Sequence, residues 1–168
     1  YYVELAPDVV GGKQQEYINI PQNIILNGIK KSIDDEQAVW CGIDWQKFNT
    51  DKNSMLDQKA FNYHDIFGDD NMMDKCAGLR YKQSKPSHAV IIRGYNLDAN
   101  NKIDRFLVEN SHGDSGDFTG FYGMSIDWFN QYLYKAVIDK KYLTGKTIQI
   151  EKKTNNKLEF HSPFGGLL

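Results

Sequence analysis

Two residues of types suited to proton transfer stand at the ends of neighbouring apolar runs. His88 opens His88-Ala89-Val90-Ile91-Ile92, and Asn110 closes Arg105-Phe106-Leu107-Val108-Glu109-Asn110. The link between the runs, Asn96 to Asp104, is rich in Asn and Asp, which suits a hairpin loop. In an antiparallel pair the start of the first strand lies beside the end of the second. The spacing therefore predicts that His88 and Asn110 meet at one rim of a sheet. A carboxamide oxygen can accept the proton on one imidazole nitrogen, fix the tautomer and aim the other nitrogen at a partner such as a thiol. That is the orienting half of a Cys-His-Asn triad, a variant of the Ser-His-Asp arrangement.

Taken singly, a histidine at a strand start is ordinarily a structural residue, and an asparagine after a strand is ordinarily a turn residue. The surrounding words reverse that balance. They are Ser87-His88-Ala89, Val108-Glu109-Asn110-Ser111 and Gly120-Phe121-Tyr122, then Met124 to Phe129 and Val137 to Lys141. Upstream stand Val9-Val10-Gly11-Gly12, Tyr17-Ile18-Asn19-Ile20-Pro21 and Ala38-Val39-Trp40, and the chain ends Pro163-Phe164-Gly165-Gly166-Leu167-Leu168. Together they resemble the papain-like cysteine peptidases, and within them the bleomycin hydrolase and aminopeptidase C branch. The likeness runs through nearly the whole chain and is looser from Thr50 to Lys85.

The resemblance implies an α+β fold: the antiparallel β-barrel lobe of a papain-like enzyme with flanking helices, forming the C-terminal half of the enzyme. Residues 1–150 would be that lobe and 151–168 a C-terminal arm. It implies a cysteine-type aminopeptidase that removes N-terminal residues from peptides, with His88 as general base and then acid, and Asn110 as its orienter. No cofactor and no metal are expected. The implied partners are a peptide substrate, an N-terminal half or separate chain carrying the cysteine and the oxyanion glutamine, and further copies in a hexamer. A catalytically silent structural or binding subunit is the alternative.

Neither cysteine suits the nucleophile's role. Cys41 lies in the apolar run Val39-Trp40-Cys41-Gly42, where a thiol behaves as a small apolar group, and Cys76 falls in a loop of undefined structure. His112 stands where the family usually has a tryptophan whose ring shields the Asn–His hydrogen bond; a histidine covers less area and is polar. His112, Asp114 and Asp117, with His88, offer metal ligands, but their glycine-rich spacing matches no standard metal loop. In the family the C-terminal arm lies in the cleft, and its carboxylate limits cleavage to N-terminal residues. Phe164 to Leu168 would fit such an arm, or simply a disordered terminus.

Bulk properties set the outer bounds. At 168 residues the sequence suffices for one domain or part of a larger protein, and 13% aromatic residues allow a substantial core. A net charge of −2 gives no basic footprint for nucleic acid. No run approaches the apolar length of a membrane span, and no N-terminal signal pattern is present. Tyr1 in place of an initiating methionine predicts a start at a processing site or an ordered boundary. Two cysteines make no disulfide framework, so a reducing, cytoplasmic compartment is expected.

The elements that must position the pair follow from periodicity. Tyr1 to Glu4 reads as a short strand or extended arm, Gly11-Gly12 as a turn, and Pro21 as the first position of a helix. Ile25, Ile29 and Ile33 fall four apart on that helix, and Asp34 to Glu36 is expected to form its exit loop. Ala38 to Ile43 reads as a buried strand and Asn49 to Ser54 as a polar loop. Short helices and loop are expected up to Ser84, followed by the hairpin. After a glycine-rich bend comes a strand from Phe121 to Met124. Ser125 then caps a helix carrying Ile126, Phe129 and Leu133. Ala136 to Asp139 and Lys146 to Ile150 are expected to be strands.

Overall fold

The computed structural model describes residues 1–3, 10–11, 16–68, 72–113, 118–151 and 156–158. In chain order these form β1 (Tyr2–Val3), α1 (Gln22–Asp34), β2 (Val39–Ile43), β3 (Asn49–Thr50), β4 (Met55–Leu56), α2 (Tyr63–Phe67) and α3 (Lys75–Arg80). There follow β5 (His88–Leu97), β6 (Ile103–Glu109), β7 (Phe121–Ser125), α4 (Ile126–Tyr132), β8 (Leu133–Ala136), α5 (Gly145–Glu151) and β9 (Lys157–Leu158). Seven strands build one curled, half-barrel sheet in the order β3-β4-β7-β6-β5-β2-β8. All of its pairings are antiparallel except β4 with β7. The fold is thus α+β with helices flanking an antiparallel sheet.

The sheet's inner face is the core. Alternation along β5 and β6 turns Val90, Ile92, Phe106 and Val108 inward, and all are buried. Ile91 and Leu107, one step out of phase, are exposed. From α4, Trp128 and Phe129 pack into this layer, with the Phe129 ring 4.9 Å from that of Phe106. Ile29 of α1 is fully buried, while Ile25, Leu26 and Ile33 pack on the edge of the cluster. The helix comes close enough to the segment after β8 that a Cβ on Gly28 would lie 3.1 Å from Ile138 Cδ1.

Several expectations are corrected. Pro21 caps α1 instead of opening it, and Asp34 belongs to the helix. The unfavourable dipole there is offset by Lys30 Nζ, 2.7 Å from Asp34, and by the Tyr95 hydroxyl, 2.6 Å away. The segment from Asn49 holds the short strand β3 and a tight turn of 3-10 helix at Asp51–Asn53. Leu133 opens β8 and does not extend the helix, so that strand lies earlier than Ala136 to Asp139. Lys146 to Ile150 are helical, in α5: Thr147 is buried there and donates its backbone N–H to Thr144 O at 2.9 Å. Cys76 is not in a loop but in the first turn of α3. Of residues 151–168, expected to form a C-terminal arm, the described ones are Glu151, which ends α5, and 156–158, where β9 pairs parallel with β1. The expectations for residues 159–168, and for Asp114 and Asp117, lie outside the described residues.

Candidate active site

His88 is the first residue of β5, and its partner across β2 is Ile43. The chain reaches it through a segment fixed by a buried carboxylate. Asp44, 4% exposed, accepts hydrogen bonds from Ser84 Oγ at 2.8 Å, Lys85 N at 3.2 Å and Ser87 Oγ at 3.3 Å. Ser87 N also donates to Ile43 O at 2.9 Å. A buried carboxylate needs such donors, and here they come from the residues leading into His88.

Asn110 is the residue after β6. A register shift in the β5–β6 ladder between Ile92 and Gly94 precedes the last pairs, which end at Ile91 with Glu109. Its backbone N–H donates to Gly120 O at 2.9 Å, tying the start of the glycine-rich bend to its end. Gly120 has φ +85°, and a Cβ there would stand 2.3 Å from Gly113 O. Only glycine lets the bend close so tightly.

The two side chains meet. His88 Nε2 lies 2.7 Å from Asn110 Oδ1, and the backbone N–H of Ser111 donates to the same oxygen at 2.8 Å. An atom that receives an amide N–H is the carboxamide oxygen, so Nε2 must be the donor in the neutral ring. The proton is then on Nε2, and Nδ1 holds a lone pair. Asn110 is 7% exposed, and its Nδ2 has no hydrogen-bond partner among the described residues. Burying an unpaired N–H costs about 1–3 kcal/mol, a penalty accepted where the carbonyl end of the same amide has a task.

Aromatic rings flank the partly buried histidine. Trp45, next to Asp44, has its ring 5.0 Å from His88 and 4.8 Å from the buried Tyr122 of β7. His112 is exposed and stands 4.9 Å from His88. Asp44 and Trp45 were not legible as site residues from sequence, because their partners lie far along the chain. The one signal was an acid directly after a buried strand. Cys41 is fully buried in β2, which pushes its thiol pKa up, away from thiolate. Cys76 is exposed on α3. That helix is tied by Lys75 to the backbone carbonyls of Asn130 and Leu133. Among the described residues no group of three or more His, Cys, Asp or Glu side chains could hold a metal ion. None of their helices is long and apolar enough to cross a membrane.

This arrangement can take a proton at Nδ1 and return it, with Asn110 holding the ring in place. Similarity to known proteins gives the family. Aminopeptidase C of Listeria innocua is 28% identical over 167 residues, covering 99% of this chain and 38% of the relative. Aminopeptidase E of Lactobacillus helveticus is 33% identical over 146 residues, with 87% and 33% covered. Human bleomycin hydrolase is 28% identical over 170 residues, with 99% and 37% covered. The crystal structure of PepW from Lactobacillus rhamnosis superposes with a TM-score of 0.92 at 29% identity, over 98% of this chain and 37% of that one. The chain thus spans about a third of the length of these relatives and matches a C-terminal portion of them. Residues 1–165 match the Peptidase C1-like family, and the chain belongs to it.

Proposed function

We propose that this chain supplies the general base and its orienting residue to a cysteine-type aminopeptidase of the bleomycin hydrolase kind. The lobe is residues 1–150, and the nucleophilic cysteine comes from an N-terminal portion or partner chain. The observation that carries the reading is the 2.7 Å bond from His88 Nε2 to Asn110 Oδ1, which leaves Nδ1 as an acceptor. In the reaction, Nδ1 would take the proton of the incoming thiol as its sulfur attacks the peptide carbonyl carbon. The imidazolium, held through Nε2–H by Asn110, would give that proton to the departing amine as the C–N bond breaks. Water would then attack the thioester while His88 takes its proton, releasing the acid and restoring the thiol. The relatives' names, aminopeptidase and bleomycin hydrolase, support a peptide amide as substrate.

The test is to combine the chain with a cysteine-bearing N-terminal portion and follow release of the leaving group from aminoacyl amides. His88→Ala is expected to lower kcat/KM by about 10²–10⁴-fold, and Asn110→Ala by less. A rate unchanged by His88→Ala would refute the assignment. An intact complex that turns nothing over would instead favour a silent subunit.

A further inference from the structure

We propose that Trp45 is a positioning residue, an indole that covers the His88–Asn110 hydrogen bond and keeps water from competing for it. The inference rests on the reading of that pair as base and orienter. Its ground is the way Trp45 is held. Ile43 pairs with His88 across the β2–β5 ladder, so the chain leaving β2 passes the first residue of β5. Asp44 is anchored there by its bonds to Ser84, Lys85 and Ser87. Trp45 follows at once and is half-buried. Its ring wedges between two others, 4.8 Å from Tyr122 at 73° and 5.0 Å from His88 at 52°. Tyr122 is itself only 3% exposed, so the wedge has a fixed backing.

His112 is the other candidate for a cover, at 4.9 Å from His88. It is less suited on two counts. Its ring is exposed, standing in the bend that follows Asn110, and imidazole is smaller and more polar than indole. A hydrogen bond excluded from water is electrostatically stronger than one that water can reach, so the larger apolar ring at position 45 has the greater effect. The shield reaches the pair from the end of β2, not from the residue after Asn110-Ser111.

Hydrogen exchange at the imidazole reads this directly. In the full chain carrying ¹⁵N-labelled histidine, His88 is expected to show a protonated Nε2 whose hydrogen exchanges slowly. Trp45→Ala should speed that exchange by about two- to twelvefold, the factor that corresponds to losing one ordinary hydrogen bond's net strength. Trp45→Phe, which keeps an apolar ring, should restore most of the protection, and His112→Ala should speed exchange less than Trp45→Ala does. If Trp45→Ala loses its folded amide spectrum, Trp45→Leu is compared with Trp45→Phe, the flat ring being the variable. Exchange indifferent to position 45 in folded variants, or more sensitive to His112→Ala, would overturn the proposal. In that case the base assignment would stand as long as the Nε2–H tautomer is seen. Its absence in the unaltered chain would bring down both.

Discussion

At the scale of single residues, the pair depends on neighbours that do no chemistry. Asn110 is placed by its backbone bond to Gly120, and Gly120 fits only because it lacks a Cβ. Gly113 makes a useful contrast. It also has a positive φ, of +67°, but a Cβ there would meet nothing within 4 Å. Alanine at position 113 should cost only the left-handed backbone penalty, roughly 1 kcal/mol. Alanine at position 120 adds a clash with backbone that cannot swing aside, for a total of about 2–4 kcal/mol. Thermal unfolding of the two variants checks this: Gly120→Ala is expected to melt several degrees below Gly113→Ala. The His88 tautomer should be disturbed only in Gly120→Ala. Equal melting temperatures would mean that the bend relaxes without loss.

At the scale of elements, a cation ties α3 to its neighbours. Lys75 Nζ donates to Gln22 Oε1 at 3.1 Å and to the backbone carbonyls of Asn130 and Leu133, and lies 5.0 Å from the centre of the Tyr134 ring. It joins α3 to the N-terminus of α1 and to the α4–β8 junction. All of these partners are neutral, and burial pushes the Lys75 pKa down from 10.5 to about 8. A folded pKa below the unfolded one means that the unfolded chain binds more protons between those values. The Lys75 contribution therefore becomes more favourable as pH rises through that window, and the burial penalty is fully present below it. Unfolding free energies of the unaltered chain and of Lys75→Met should diverge in favour of the unaltered chain by roughly 1–3 kcal/mol between pH 8 and pH 10.5. A constant difference would show that the three acceptors hold the ammonium at its ordinary pKa.

The same elements show what sequence could and could not convey. The β5–β6 hairpin was legible because β-branched runs flank an Asn/Asp-rich link, and that alone brought His88 beside Asn110. The stripe of α1 was legible from isoleucines spaced four apart. Lys146 to Ile150 misled because Ile148 and Ile150 alternate like a strand, whereas the buried residue is Thr147 and Ile150 is exposed. β4 is two residues long, and its parallel partner β7 lies far along the chain, so no local pattern could announce it. Trp45 escaped for the same reason: its role is defined by His88 and Tyr122, which only the folded sheet brings near.

At the scale of the whole molecule, the chain combines the imidazole of His88, the proposed base, with two thiols in unlike settings. Cys41 packs in β2 as a core residue, and its burial favours the protonated form. Cys76 is exposed, but α3 is anchored through Lys75 at the α4–β8 junction, while the imidazole sits at the start of β5. Two outcomes are expected if the sulfur comes from another segment. A general thiol reagent should modify Cys76 in the folded chain and reach Cys41 only on unfolding, as peptide mapping by mass spectrometry would record. Cys76→Ser and Cys41→Ala should then leave the peptidase activity of the combined protein within about twofold of the unaltered one, since neither touches the reacting atoms. Peptide turnover by the chain alone, abolished by either substitution, would place the nucleophile inside these 168 residues and remove the need for a second portion.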